Sequence, residues 1–358
     1  MKRWWVIAAL GVPALGACTA RDDAPSAAAT AAFVPDGRRT VVRRFAATVY
    51  EASGVAQLPD GRILIAADDR RHPFVVADLF GDGRALELAP RAVSRATGRR
   101  WLDDLEGLTI DTDGQLYAIT SHALSSAGRQ RADREVLARF GMHGDTIVNA
   151  VVAGGLKAAL ARLHPALAAA AEKRPKRKGA GLNIEGIAWD PTSRRVLIGF
   201  RSPLVDGSAI VVPLDNPDAA FRGGGVSLGS PILLALDGEG IRDMTYDASL
   251  GGFLIVAGSP RQSRHADAAL WLWRGDDSPP VPLDVPAIGA LNPEGIAIVT
   301  IGGRRALLLV CDDSRADDAY RRGRSLDDRG MPSHYVVLPY DTLVSSNAAA
   351  LDRTHHPP

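Results

Sequence analysis

Short runs of mostly apolar residues recur along this chain, separated by Gly, Pro, Asp and Asn. Five of them are Ile63-Leu64-Ile65-Ala66-Ala67, Leu116-Tyr117-Ala118-Ile119-Thr120, Val196-Leu197-Ile198-Gly199-Phe200, Phe253-Leu254-Ile255-Val256-Ala257 and Leu307-Leu308-Leu309-Val310-Cys311. Runs of this length, rich in β-branched and aromatic residues and bounded by turn formers, predict buried strands rather than helices. Each run follows a related segment: Ser53-Gly54-Val55-Ala56, Glu106-Gly107-Leu108-Thr109, Glu185-Gly186-Ile187-Ala188, Arg242-Asp243-Met244-Thr245 and Glu294-Gly295-Ile296-Ala297. Between the members of each pair stands a tight-turn sequence, such as Pro59-Asp60-Gly61 or Asp113-Gly114.

Each unit also holds a third and a fourth candidate strand. These are 73–78 and 85–88, 136–140 and 147–152, 209–214 and 232–236, and 270–273 and 281–285. The second positions 54, 107, 186, 243 and 295 recur at a period of roughly fifty-five residues, with one interval stretched by an insertion. A four-stranded unit of that length is a propeller blade. The fifth unit has a third strand at 334–339 and no fourth, while an unassigned strand at 40–49 lies upstream. Pairing the two would close the ring and remove a free edge. The fold predicted is all-β: a propeller of five four-stranded blades, or six if the long interval holds a degenerate one. The insertion, about 155–181, carries Leu156, Leu160, Leu163 and Leu167 at helical spacing, then the basic run 173–178. That run is a solvated excursion, or a patch for anionic lipid headgroups or an anionic substrate.

The first residues read as an address. Lys2 and Arg3 precede an apolar stretch, 4–17, too short to span a bilayer. Its end, Leu15-Gly16-Ala17-Cys18, resembles the bacterial lipobox, in which Cys18 would become the lipidated N-terminus. The expected organisation is a lipoprotein signal peptide at 1–17, a flexible tether at 18–36, a propeller at 37–345 and a disordered tail at 346–358. The chain is then expected at the cell envelope, anchored on the periplasmic face of a bacterial membrane and monomeric. If Cys18 is acylated, Cys311 stands alone in an apolar run and is expected in the core.

Composition narrows the picture further. With 358 residues, 46% hydrophobic and 23% charged, the chain is long enough for a large core, and 36 Gly and 23 Pro suit many turns. A formal net charge of +1 does not suggest a nucleic-acid partner. The phosphate loop Gly-x-x-x-x-Gly-Lys and His-Glu-x-x-His are absent from the sequence.

The chemistry sits in aligned columns. The start of each first strand gives Ser53, Glu106, Glu185, Arg242 and Glu294 around the axis. Three carboxylates there need a counter-ion, either Arg242 or a bound cation, and Ca²⁺ or another divalent cation suits such oxygen ligands. Glu106, Glu185 and Glu294 are the candidate metal ligands. Asn183 stands two residues before Glu185, as Asn292 does before Glu294. The ends of the second strands give a rim of Asp68, His122, Arg201 and Asp312. Arg201, Arg242, Asp243, Asn183 and Asp312 are candidate ligand-binding residues, with His122 and Asp68 as candidate proton-transfer groups. The bland alternative is that the Glu-Gly pairs only position the inner strands. The expected ligand is a small anion or an envelope component. The activity, if there is one, is hydrolysis of an ester or phosphoester with a divalent metal. The rival is a non-enzymatic module that recognises a protein or glycan.

The segments Gly181-Leu182-Asn183-Ile184-Glu185-Gly186-Ile187-Ala188, Ile198-Gly199-Phe200-Arg201-Ser202-Pro203-Leu204, Gly240-Ile241-Arg242-Asp243 and Leu270-Trp271-Leu272-Trp273 resemble the DUF3616 family of bacterial propeller proteins. The resemblance covers roughly 50–340 and implies the fold, with no established activity. More distantly, the Glu-Gly-Ile units are similar to the esterase-like phytase family and to calcium-dependent lactonase propellers. The latter resemblance implies metal binding by an early Glu of an inner strand, a pattern that Glu106, Glu185 and Glu294 match and Arg242 breaks.

Overall fold

The computed structural model describes residues 40–45, 49–68, 72–79, 88–92, 94–95, 102–174, 181–260, 268–275, 277–285, 288, 291–312 and 332–355; of 88–92, 94–95 and 353–355 it describes the backbone only. The signal peptide, the tether, Cys18 and most of the basic run lie outside the described residues.

Five antiparallel blades make a β-propeller. Blade 1 is β2 (Ala52–Gln57), β3 (Ile63–Ala67), β4 (Phe74–Leu79) and β5 (Leu88–Ala92). Blade 2 is β7 (Leu105–Ile110), β8 (Leu116–Thr120), β9 (Leu137–His143) and β10 (Thr146–Ala153), with the two-residue β6 (Ser94–Arg95) added in parallel at its outer edge. Blade 3 is β11 (Asn183–Asp190), β12 (Arg195–Ser202), β13 (Ala209–Leu214) and β14 (Ile232–Leu234). Blade 4 is β15 (Gly240–Asp247), β16 (Gly252–Gly258), β17 (Ala269–Trp273) and β18 (Val281–Leu283). Blade 5 joins β19 (Pro293–Ile301), β20 (Arg304–Cys311) and β21 (His334–Pro339) to the upstream β1 (Val41–Arg44). The closure runs in antiparallel register from Val41↔Val337 to Arg44↔His334. Thus the strand expected at 40–49 supplies the missing edge, and the long interval holds no sixth blade.

Each blade is covered on both faces by its neighbours, which is why its second strand reads as an unbroken apolar run. Five separate apolar clusters fill the five junctions between blades. Cys311 is buried in the junction of blades 4 and 5. The insertion forms two helices, Leu156–Leu163 and Pro165–Ala171, and Leu156, Leu160 and Leu167 pack into the junction of blades 2 and 3. The expectation of a disordered tail needs correction: Tyr340–Ser346 and Ala348–His355 are helical. Leu343 and Leu351 bury themselves against blades 4 and 5, which ties the segment down. Among the described residues no helix is long and apolar enough to cross a membrane.

The inner strands share a device. Each carries a register skip against its second strand, between Ala52 and Gly54, Leu105 and Gly107, Ile184 and Gly186, Ile241 and Asp243, and Pro293 and Gly295. The residues left out of the ladder are Ser53, Glu106, Glu185, Arg242 and Glu294. A bulge turns the extra residue away from its expected face, so one column of the repeat is re-aimed in every blade.

Candidate functional site

Four of the five bulges are followed by glycine, and close approach explains it. A Cβ on Gly107 would stand 2.7 Å from Glu185 O, and one on Gly54 2.7 Å from Leu108 N, both backbone atoms of the next blade. Where the fourth blade has Asp243, the side chain itself is accommodated. Its Oδ2 accepts from Ile296 N at 2.9 Å and its Oδ1 from Ile187 N at 3.5 Å, so the carboxyl links inner strands on both sides of its own. Asp243 is fully buried, and burial, opposed by these amides, holds its pKa well above the usual range. Expected to bind ligand, Asp243 instead has a structural setting.

The bulge residues meet basic partners on one side of the axis. Glu185 Oε1 accepts from Arg201 Nη1 at 2.7 Å and from Asn183 Nδ2 at 2.7 Å. Arg201 is itself skipped on β12, because Asn183 pairs with Ser202 while Ile184 pairs with Phe200. Arg201 Nε reaches blade 4 at Ser259 O, 3.0 Å away. Arg242 Nη1 donates to Glu294 Oε1, and Asn292 Nδ2 donates to the same oxygen at 3.0 Å and to Asp312 O at 3.0 Å. Asp312, after β20, is held beside Asn292 through its own amide.

The other side is acidic. Asp68 Oδ1 accepts from Asp104 N at 2.9 Å. Asp104, at φ 62°, occupies the position two before its bulge, as Asn183 and Asn292 do. It is tied to Ser121 Oγ and, at 3.0 Å, to Arg134 Nη2, while Arg134 and Arg131 also hold the buried Asp103. Glu106 lies deep in the channel, keeps part of its surface open to solvent, and makes no hydrogen bond or ion pair among the described residues.

Electrostatics tie the two sides together. Burial, then the charges of Glu185, Asp104, Asp68 and Glu294, raise the Glu106 pKa well above normal. Burial, then the charges of Asp104, Glu51 and Asp103, push Asp68 up to about 8. Glu185 rises to about 7, burial and Glu294 outweighing Arg201 and Arg242. Burial works against the Arg201 cation, but Glu185, Glu294 and Glu106 outweigh it and its pKa is raised.

Among the described residues three polar atoms inside this cluster have no partner: Glu185 Oε2, Arg201 Nη2 and Arg242 Nε. The three residues are 3%, 6% and 5% exposed. Buried polar atoms are ordinarily satisfied, so these three stand out. Among the described residues no three His, Cys, Asp or Glu side chains come together to hold a metal ion. Glu185 and Glu294 each have a guanidinium counter-ion, whereas Glu106 has none among the described residues. His122 is set apart. At φ 56° its ring turns so that Nδ1 meets Thr120 O at 2.8 Å, and the charged groups acting on it are Glu135 and Lys157. Burial lowers its pKa to about 4.

Asp104 and Arg134 are site residues that sequence reasoning missed. The signal for Asp104 was its place in the Asn183 and Asn292 column.

Residues 175–326 match the model of a family described as a protein of unknown function, DUF3616; the match spans blades 3 and 4 and the first two strands of blade 5. No curated protein matches the chain. Among solved structures the chain is similar to the PQQ-bound aldose sugar dehydrogenase of Streptomyces coelicolor, at 15% identity over 83% of this chain and 98% of that one, TM-score 0.41. It is similar to the PQQ domain of pyranose dehydrogenase from Coprinopsis cinerea, at 10% identity over 86% and 97%, TM-score 0.39. It is also similar to the calcium structure of a carbohydrate-active enzyme of family AA12 from Trichoderma reesei, at 12% identity over 86% and 97%, TM-score 0.41. Likenesses at this level concern the fold alone.

Proposed function

We propose that the charged end of the propeller axis binds a small anion that also carries a hydrogen-bond donor. The observation behind this reading is the set of unpartnered atoms. Arg201 and Arg242 each use one Nη1 on a glutamate, leaving Nη2 of the first and Nε of the second as buried donors. A carboxylate or phosphate oxygen would satisfy them, and guanidinium forks suit such groups. Glu185 Oε2 is a free acceptor and calls for a donor on the same ligand. A divalent cation has no part in this reading, because Arg201 and Arg242 stand where its charge would act.

The test is a thermal-shift panel of small carboxylates and inorganic phosphate on the domain beginning at Thr19. At least one anion should raise the unfolding temperature. Arg201→Lys, which keeps the charge and loses the fork, should abolish the shift. A panel without effect would remove the reading.

Hydrolysis of an ester at the same place is a second reading, favoured by Glu185, whose pKa of about 7 suits a general base. Glu185→Gln should then remove ester turnover in a protein whose fold is retained. The chain is also proposed to be an exported lipoprotein, tethered at the cell envelope through Cys18. Incorporation of labelled fatty acid, lost in Cys18→Ala, checks it.

A further inference from the structure

The site has two unlike halves. Blades 3 and 4 contribute Arg201 and Arg242, whereas blades 1 and 2 contribute Asp68 and Glu106. Within ion-pair distance, Glu185 has Arg201, Glu294 has Arg242 and Asp104 has Arg134. Glu106 and Asp68 have no such cation among the described residues; Asp68 accepts from the Asp104 amide, and the charge of Arg134 offsets its acidic neighbours only in part. A second observation comes from Glu185, 3% exposed, whose Oε2 has no donor. Glu185 stands at the same bulge position in blade 3 as Glu106 in blade 2, and of the charges acting on Glu106 that of Glu185 is the largest. The anion on the arginines would therefore lie beside two carboxyl groups whose ionisation is opposed by burial and by neighbouring negative charges. A purely anionic ligand gives them no counter-charge, while a positive group on the same ligand would let them ionise and give Glu185 Oε2 its donor.

We propose that the ligand is a small zwitterion, an ammonium carboxylate of the α-amino acid kind, with its amino group held by Glu106, Asp68 and Glu185 Oε2 and its carboxylate by Arg201 and Arg242. This rests on the anion-binding reading above and names the ligand class for the same site. No bond is made or broken, since the claim concerns recognition.

The experiment is calorimetric titration at pH 7 with α-amino acids, each paired with its des-amino acid: alanine against propionate, glutamate against glutarate, phenylalanine against phenylpropionate, lysine against 6-aminohexanoate. At least one amino acid should bind tenfold or more tightly than its partner. Glu106→Gln, which keeps the shape of the side chain but cannot ionise beside an ammonium, should erase that preference. Equal affinities within every pair would overturn the zwitterion while leaving the anion reading standing. No binding by any member would overturn both. Ethylamine with each variant separates a pure cation site: if it alone binds, the arginine half has no role and the proposal fails.

Discussion

Arg201 and Glu185 are each left out of the β11–β12 ladder of blade 3, on opposite strands, and they meet through one N–H at 2.7 Å while Nη2 and Oε2 face each other's surroundings unpaired. Two bulges in one hairpin thus convert two positions of an apolar strand pair into a buried ion pair. A buried pair is weak evidence of stabilisation, but breaking it is costly because one charge is left alone.

Arg201→Met should therefore lower stability by about 3 kcal/mol at pH 8, near the bottom of the range for an uncompensated buried charge. At pH 5.5 the loss should be smaller, because Glu185, with a pKa already near 7, takes up a proton. Adding Glu185→Gln should recover part of the loss at pH 8. Urea unfolding at the two pH values measures this, and an equal loss at both would remove Glu185 as the partner that matters.

Gly107→Ala places a Cβ 2.7 Å from Glu185 O and 2.9 Å from Ile187 Cγ2, on the inner strand of the neighbouring blade. A backbone oxygen cannot step aside as a side chain can, so a cost of about 1–3 kcal/mol is expected. Gly154→Ala, with nothing within 4 Å of its new Cβ, should be neutral or slightly stabilising. Equal unfolding midpoints for the two variants would contradict the close packing of the ring.

Asp243→Ala should leave the amides of Ile296 and Ile187 without their acceptor, at about 1–3 kcal/mol for the shorter bond. Asp243→Asn should cost less, because burial disfavours the charged form of the carboxyl and the amide keeps one acceptor oxygen. Hydrogen exchange at Ile296 N reports the loss directly; protection unchanged in the alanine variant would exclude the bond.

Acidity offers an independent check. Asp68 at about 8 and Glu185 at about 7 lie above their ordinary values of 3.8 and 4.5, so the folded chain keeps protons that the unfolded chain releases. Their stabilisation is complete below pH 3.8 and is lost as pH rises through 7 and 8. His122, lowered from 6.5 to about 4, acts oppositely: its contribution is present above 6.5 and lost as pH falls towards 4. Between pH 6.5 and 8 the carboxyls act alone, so the melting temperature should fall across that window, and Asp68→Asn should flatten the slope. Parallel profiles for the two proteins would count against the buried, protonated Asp68.

The blades were legible because each repeats an inner strand, marked by Gly in four of the five, then a turn and an apolar run, and Val41–Arg44 had no other unit to pair with. The column Ser53, Glu106, Glu185, Arg242, Glu294 was legible too. What it does was less so, because a one-residue register skip leaves no mark in an apolar run. Strict alternation cannot tell that Arg201 turns to face Glu185. His122 shares a column with true rim residues, yet a positive φ sends its ring towards Glu135 and Lys157. Ser94–Arg95 pairs as a strand without any apolar run to mark it in the sequence. In the C-terminal segment, Leu343 and Leu351 anchor helices in a stretch whose composition resembles a tail.

The most direct test of the axial site is calorimetric titration of alanine and propionate into the wild-type domain and into an Arg201→Lys/Arg242→Lys variant of confirmed fold. The account predicts saturable one-to-one binding to the wild type, tighter for alanine, and no measurable heat from either ligand with the variant. Binding that survives unchanged in the variant would contradict the role given to the two arginines and move the ligand away from the axis.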